Sequence, residues 1–330
     1  MKDLFHRKID YVRISVTDRC NFRCTYCMPQ GQFIPMSHTD ILTFEEIERL
    51  CRVFVKVGIH KVKLTGGEPL ARKNFISLVR KINQIEGIEQ VTMTTNGSLL
   101  GGYVSELAEA GLAGINISLD TLKPDVFRKL TGTDELSNVL DAIHKTSRAG
   151  IPSVKINCVP MQGVNDDELC EIAAFAKDAP IEVRFIEMMP IGQGKGQAGI
   201  GEAEVRRKLE AVYGSLGPVD EQLGNGPASY VQPEGFQGHI GFISAISHKF
   251  CESCNRIRLT SDGILKPCLQ YAGHVSLKEL LRTNASDEQI EAVIRQTILE
   301  KPQCHQFRET NDADSKKELL EERIMAGIGG

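Results

Sequence analysis

"YVRISVTDRCNFRCTYC", residues 11–27, joins two patterns that together decide the fold. The first half is a run of β-branched residues, which predicts a strand. The second half places Cys20, Cys24 and Cys27 in the loop that follows this strand. Loops at the carboxyl ends of parallel strands are where α/β proteins build their sites. The stretch therefore predicts an α/β fold with a thiol-rich site at the end of its first strand.

Outward from this stretch, short β-branched runs alternate with longer helical patterns as far as Pro190. The runs are YVRISVT, KVKLTG, QVTMTTN, GINISLD, SVKINCVPM and IEVRFIEMM. Six β-then-α units in series predict a parallel sheet with right-handed crossovers, either open and doubly wound or an incomplete barrel. After Pro190 the pattern changes. The glycine-rich residues 191–201 are expected to form a connection, because no Lys-Ser/Thr helix start follows to make a phosphate cradle. We therefore predict two parts, residues 1–190 and 191–330.

The composition is that of an ordinary globular protein, with 41% hydrophobic and 25% charged residues. A formal net charge of -4 gives no bulk reason to expect a nucleic-acid or membrane partner. The sequence shows no signal-peptide core and no bilayer-spanning apolar run, so we expect a cytoplasmic protein. Ten cysteines in such a chain point to metal or redox chemistry more than to disulfides.

The first cysteine set, Cys20, Cys24 and Cys27, has no fourth cysteine nearby. Three thiolates suit an iron–sulfur cluster in which one iron stays open to an exogenous ligand. A zinc site that borrows His38 is the alternative, although structural zinc sites favour paired CxxC units.

Four cations interrupt strands that should be nearly continuous apolar runs: Arg13, Lys63, Lys155 and Arg184. A single one could be a strand-end side chain that reaches water. Four on four strands are expected to converge on an anionic ligand, because an unpaired buried cation costs several kcal/mol. Arg256 and Arg258 add alternate positions on one later strand. This much positive charge predicts a polyphosphate ligand.

The second cysteine set, Cys251, Cys254 and Cys268, again lacks an obvious fourth ligand. Either Cys304 or His274 could complete a tetrahedral zinc site, and the spacing leaves that alternative open.

Two motifs carry a family resemblance. The run CNFRCTYC, with the aromatic Tyr26 before its third cysteine, resembles the signature of the radical S-adenosylmethionine (SAM) enzymes, and LTGGEP at 64–69 is similar to their SAM-binding motif. The chain as a whole resembles the GTP 3′,8-cyclase family of molybdenum cofactor biosynthesis. The segments that carry this likeness are TTNG, GINISLDTL, RFIEMMP, FCESCNRIRLTSDGILKPCL and the terminal IGG.

The resemblance implies a fold and a set of roles. The fold would be an incomplete (β/α)6 TIM-type barrel whose C-terminal segment carries a second iron–sulfur cluster and closes the open side. The two cysteine sets would each hold a [4Fe–4S] cluster. SAM would be contacted by Tyr26, Gly67, Glu68, Ser118 and Met189. GTP would be contacted by Arg13, Lys63, Thr94, Lys155, Arg256, Ile257 and Arg258. Arg184, Gly329 and Gly330 would act in the active site.

The resemblance also implies a reaction. Reductive cleavage of SAM would generate a 5′-deoxyadenosyl radical that abstracts hydrogen from C3′ of GTP, and C3′ would then bond to C8 of the guanine. A flavodoxin or ferredoxin would supply electrons, cyclic pyranopterin monophosphate synthase would take the product, and the chain could be a homodimer.

Two rival readings remain. A radical SAM peptide maturase with an auxiliary cluster would explain the cysteines, but it gives no reason for the strand cations. A zinc-binding regulatory or nucleic-acid module is disfavoured by the net charge and by the lack of paired CxxC units.

Overall fold

The computed structural model describes residues 1–28, 31, 33–221, 223–273, 275–307, 321 and 323–328. In its described residues, the first part of the chain has six strands and six helices, with one or two helices between successive strands. The strands are β1 (Tyr11–Ser15), β2 (Lys61–Thr65), β3 (Gln90–Thr95), β4 (Gly114–Ser118), β5 (Val154–Cys158) and β6 (Glu182–Ile186). The helices are α1 (Phe44–Val57), α2 (Phe75–Asn83), α3 (Val104–Glu109), α4 (Pro124–Thr131), α5 (Leu136–Thr146) and α6 (Leu169–Ala173). Neighbouring strands from β1 to β6 pair in parallel, as the alternation predicted.

Helix α1 shows how local sequence sets an element's limits. Thr43 accepts a hydrogen bond from the backbone N–H of Glu46, whose side chain accepts one in return from the N–H of Thr43, so both orphan donors are satisfied. Gly58 ends the helix with a φ of 94°, a left-handed conformation that favours glycine. The apolar face of α1 packs in the core.

The second part of the chain extends the same sheet at both edges. Its elements are α7 (Glu202–Tyr213), β7 (Leu216–Val219), β8 (Ser229–Pro233), β9 (His239–Ile243), β10 (Arg256–Leu259), β11 (Ile264–Lys266), β12 (Val275–Ser276), α8 (Leu277–Arg282), α9 (Asp287–Leu299) and α10 (Met325–Ile328). In the described residues the strand order is β12-β11-β10-β1-β2-β3-β4-β5-β6-β9-β8-β7. Strand β10 pairs in parallel with β1, and β9 with β6.

This topology confirms the incomplete barrel. Strands β1 to β6 lie side by side in chain order, without the reversal of a doubly wound sheet. In the described residues β1 does not pair with β6, so the six-stranded unit stays open. Each open edge is taken by a strand from the second part. The proposed division at residue 190 remains a prediction, since the sheet runs continuously through both parts.

The two faces of the sheet have different environments. On β1, Val12 and Ile14 are fully buried in the hydrophobic core, whereas Arg13 between them lines a central cavity. Strand β2 repeats the pattern with Lys63 between two core residues. Because side chains alternate along a strand, one face packs on the helices and the other surrounds the cavity. No helix in the described part of the chain combines the length and apolar character needed to cross a bilayer.

Candidate active site

A cavity of about 610 Å³ lies inside the open barrel. Its volume lies within the range of roughly 300 to 1,000 Å³ that is usual for ligand cavities. All six clustered cysteines and all six cations singled out from the sequence line it. Residues 191–201 are not among the lining residues of this cavity, and their role as a connection stays a prediction.

The first cysteine set occupies one wall of the cavity, directly after β1. Two N–H groups point at the sulfur of Cys20, from the backbone of Phe22 (3.4 Å) and the side chain of Asn96 (3.7 Å). Burial raises the pKa of all three thiols, that of Cys27 to about 12. Thiols in such surroundings become thiolates only beside a strong positive charge such as a metal. The set therefore fits a metal centre, and N–H donors to sulfur are typical of iron–sulfur sites.

The glycines of LTGGEP allow the turn after β2 to pack against the cysteine loop. A Cβ at Gly67 would lie 2.1 Å from the carbonyl oxygen of Arg19, so no side chain fits there. The backbone N–H of Gly67 donates to the carbonyl of Thr17 at 2.7 Å, and that of Glu68 donates to Arg19 at 2.8 Å. Gly67 thus brings backbone close to the first cysteine set.

Glu68 has a different environment from the one expected of a ligand contact. Its carboxylate is fully buried and accepts hydrogen bonds from the N–H groups of Leu70 and Asn96 and from the hydroxyl of Thr95. Burial raises its pKa to about 7. Its side chain is not among those that line the cavity, so any contact with SAM would have to come from its backbone.

The remaining residues expected near SAM, Tyr26, Ser118 and Met189, line the cavity. The hydroxyl of Tyr26 donates to Asp120 at 2.5 Å, and Asp120 also accepts from the N–H of Val159. Burial raises the pKa of Asp120. Sequence reasoning missed this residue, although a carboxylate two positions beyond the end of β4 was a usable signal.

The second cysteine set forms another wall of the same cavity. The N–H of His305 donates to the sulfur of Cys251 at 3.4 Å, and the guanidinium of Arg256 lies 3.8 Å from the sulfur of Cys254. Burial alone would raise the pKa of Cys254. The charges of Lys301 and Arg256, with hydrogen bonds from Arg256, outweigh burial and lower that pKa to about 6.

The described residues give no support to a zinc site at either cysteine set. In the described part of the chain, no three His, Cys, Asp or Glu side chains converge closely enough to hold one metal ion. His38 is exposed and outside the cavity lining. Cys304 interacts electrostatically with Cys251 but does not line the cavity, and His274 lies outside the described residues.

The register of the strands brings the cations together. Arg13 stands opposite Lys63 on β2 and opposite Arg258 on β10. With its amide oxygen turned toward them, Asn116 accepts hydrogen bonds from Lys63 (2.5 Å) and Arg184 (2.7 Å). The neutral amide of Asn116 thus holds these two cations together, whereas a carboxylate at this position would have cancelled part of their charge.

Burial and mutual repulsion make this cluster costly. Desolvation, followed by the charges of Arg184 and Arg13, holds the pKa of Lys63 well below its usual value. Lys155 differs, because its ammonium pairs with Glu182 at 3.0 Å. The pKa of Arg258 is likewise lowered by burial and nearby cations. An anionic ligand in the cavity would relieve this repulsion.

The remaining residues that the resemblance implied are a threonine, an isoleucine and the two terminal glycines, and the structure describes only the first two. Thr94 lines the cavity. The side chain of Ile257 is fully buried in the core, so only its backbone could reach a ligand. Gly329 and Gly330 lie outside the described residues. Helix α10 just before them contributes Met325 to the cavity lining and a hydrogen bond from a backbone N–H to Cys27.

Comparison with known proteins places the chain. The Radical SAM superfamily model matches residues 14–176, and the Molybdenum Cofactor Synthesis C model matches residues 181–307. A GTP 3′,8-cyclase of Clostridium perfringens is 43% identical over the full length of both chains, and one of Alkaliphilus metalliredigens is 45% identical, also over the full length of both. The chain belongs to the GTP 3′,8-cyclase family. Membership in this family, and in the radical SAM superfamily that contains it, implies a [4Fe–4S] cluster and SAM.

Solved structures with a similar fold include two of one protein. Streptococcus suis SuiB bound to S-adenosylmethionine superposes with a TM-score of 0.60 at 17% identity, covering 87% of this chain and 68% of that one. SuiB bound to its precursor peptide SuiA gives a TM-score of 0.61 at 16% identity, covering 83% and 65%. At this identity the likeness establishes the shared fold and nothing about substrate.

Proposed function

We propose that this chain is a radical SAM GTP 3′,8-cyclase, which converts GTP to 3′,8-cyclo-7,8-dihydro-GTP as SAM is cleaved to 5′-deoxyadenosine and methionine. This is the first step of molybdenum cofactor biosynthesis. One observation carries the proposal: two cysteine sets and six cations surround one cavity, in a chain that matches cyclases over its full length.

The cations supply substrate binding. Arg13, Lys63 and Arg258 are adjacent across three strands and form one continuous positive surface for the triphosphate. Arg184 joins them through Asn116 and is further oriented by two hydrogen bonds to Asn157, at 2.9 and 2.6 Å. A guanidinium fixed in this way binds phosphate without losing much side-chain entropy.

Each of the two cysteine sets would have its own function in the reaction. Cys20, Cys24 and Cys27 would hold a cluster that, with SAM, supplies the one-electron chemistry that starts the cyclisation. Cys251, Cys254 and Cys268 would hold a second [4Fe–4S] cluster, which would supply a binding site for the guanine base. Around them the barrel wall excludes water and fixes the distance between the two sites, which favours a single reaction course.

The SAM side of the cavity has its own positioning groups. Gly67 lets backbone approach the first cysteine set, and Ser118 and Met189 line the same cavity. Tyr26 is held by its hydrogen bond to Asp120. These contacts support SAM binding between the first cysteine set and the cations.

The test is anaerobic formation of 5′-deoxyadenosine by the reconstituted protein with SAM and a reductant. Three parallel reactions contain GTP, ATP or no nucleotide. We expect strong stimulation by GTP alone, followed by identification of the cyclised product by mass spectrometry. Equal, slow formation in all three would remove GTP as substrate and favour the peptide-maturase reading.

The partners of this reaction are also proposals. A flavodoxin or ferredoxin would deliver the electrons, and cyclic pyranopterin monophosphate synthase would receive the product. A homodimer and a cytoplasmic location remain predictions.

A further inference from the structure

The segment that follows α9, residues 301–307, packs over the second cysteine set. Lys301, His305 and Phe307 line the cavity there. The N–H of His305 donates to Cys251, and its ring lies 4.4 Å from the ring of Phe307, centroid to centroid. The segment contains none of the three cysteines, yet it completes the wall around them.

Lys301 joins the two chain stretches that carry these cysteines. Its side-chain ammonium donates to the carbonyl of Arg256 at 2.8 Å and to the carbonyl of Pro267 at 2.6 Å. Arg256 is two residues after Cys254, and Pro267 directly precedes Cys268. One side chain from a distant part of the sequence therefore joins the backbone beside Cys254 to the backbone beside Cys268.

The charge of Lys301 is buried, with 3% of the residue exposed. In the described residues, the hydrogen-bond partners of its ammonium are neutral carbonyl groups. A buried ammonium needs nearby negative charge to offset its desolvation. Three thiolates that carry a cluster would supply that charge beside it.

Arg7 holds the backbone that follows Lys301 in place through hydrogen bonds. This buried guanidinium donates to the carbonyls of Pro302 and Gln303, both at 2.8 Å, and to that of Cys251 at 2.9 Å. Asp3 pairs with it at 2.6 Å. The N-terminal segment thus anchors the backbone beside Lys301 and the second cysteine set together.

We propose that Lys301 is a positioning residue of the second cluster: it sets the spacing of Cys254 and Cys268 and stabilises the bound cluster with its positive charge. This role rests on the second cluster proposed above. Outer-shell partners of metal ligands typically contribute about 10- to 100-fold to metal affinity.

The experiment isolates the second site. In a chain with Cys20, Cys24 and Cys27 all changed to Ala, iron can be held only by the second set. This parent is reconstituted anaerobically and compared with its Lys301→Met and Lys301→Gln derivatives. The matched control is Lys145→Met, which removes the same charge from an exposed lysine on α5.

Two readouts report on the cluster without activity. The first is the rate at which iron is lost to a chelator, and the second is the midpoint potential of the cluster followed by electron paramagnetic resonance. We expect Lys301→Met to lose iron about 10- to 100-fold faster than the parent and to shift the potential to more negative values. Gln can donate a hydrogen bond but carries no charge, so it should restore part of the iron retention and none of the potential.

The outcomes separate the two proposals. A parent that binds no iron overturns the second cluster and, with it, this role of Lys301. A parent that binds iron, with a Lys301→Met derivative that retains it equally well at the same potential, overturns the role of Lys301 alone. As a check on folding, Lys301→Met in the chain with all six cysteines should keep the iron of its first cluster and the far-ultraviolet circular dichroism of the unaltered protein. Loss of both would show a general defect and refute a role confined to the second site.

Discussion

Replacing Lys63 by Met should stabilise the nucleotide-free protein and weaken its binding of GTP. Lys63 and Arg184 donate to the same oxygen of Asn116, at 2.5 and 2.7 Å, so their nitrogens lie no more than about 5.2 Å apart. Two positive charges at that separation repel by at least about 3 kcal/mol at an effective dielectric constant of about 20. The pKa of Lys63 lies well below its usual value, through burial and this repulsion, which agrees with that cost.

The net gain is smaller than the repulsion. The substitution also removes the hydrogen bond to Asn116, and hydrogen bonds to charged groups contribute about 1.5 to 3 kcal/mol. We therefore expect the free energy of unfolding to rise by about 1 kcal/mol. The same change removes one cation from the triphosphate site, so GTP affinity should fall by about 10- to 100-fold.

The assay has two parts and one matched control. Urea unfolding of the reconstituted protein without nucleotide, followed anaerobically by circular dichroism, gives the stability, and calorimetry gives the GTP affinity. Lys61→Met is the same substitution two residues earlier on β2. It removes a partly exposed pair with Asp10 at 3.1 Å, so it should cost at most about 1 kcal/mol and leave GTP binding nearly unchanged. The reasoning fails if Lys63→Met is less stable than the unaltered protein, or if it binds GTP as tightly.

Three further outcomes follow from the site. Tyr26→Phe removes the hydrogen bond to Asp120 and should lower kcat/KM for SAM cleavage by about 10-fold or more while the first cluster keeps its iron; an unchanged kcat/KM would remove Tyr26 from the SAM site. Because the pKa of Glu68 is raised from 4.5 to about 7 in the folded state, its stabilising contribution is present below about pH 4.5 and is lost as pH rises through about 7, by about 3 kcal/mol in all. Urea midpoints across that range should show this loss in the unaltered protein and not in Glu68→Gln, and parallel curves would contradict the assignment. Cys304→Ser should keep the iron of the second site, because Cys304 does not line the cavity, whereas loss of that iron would make Cys304 a ligand.

Several features of the fold and of the site could be predicted from the sequence alone. The βα alternation predicts the parallel sheet, because strand and helix periods depend on local residue order. The loop position of the first cysteine set and the four mid-strand cations were also visible, since a charge within a buried strand demands an explanation wherever the strand lies. The period of two along each strand placed Arg13 and Lys63 on one face.

Other features were decided only by the tertiary structure. Sequence periodicity left the choice between open sheet and incomplete barrel unsettled, because strand order depends on long-range pairing. The register sets Arg13 between Lys63 and Arg258, residues far apart in the chain. Asn116 carries no sequence signal of its own, yet it joins two cations because neighbouring strands bring them to one oxygen.

The second cysteine set illustrates the same division. Its thiols were evident from their spacing, but Lys301 follows Cys268 by more than thirty residues and looked like any helix-end lysine. Only folding brings its ammonium between the carbonyls of Arg256 and Pro267. Local sequence determines which residues are chemically unusual. Three-dimensional packing determines which of them meet, because contacts between distant segments depend on the whole fold rather than on any one stretch.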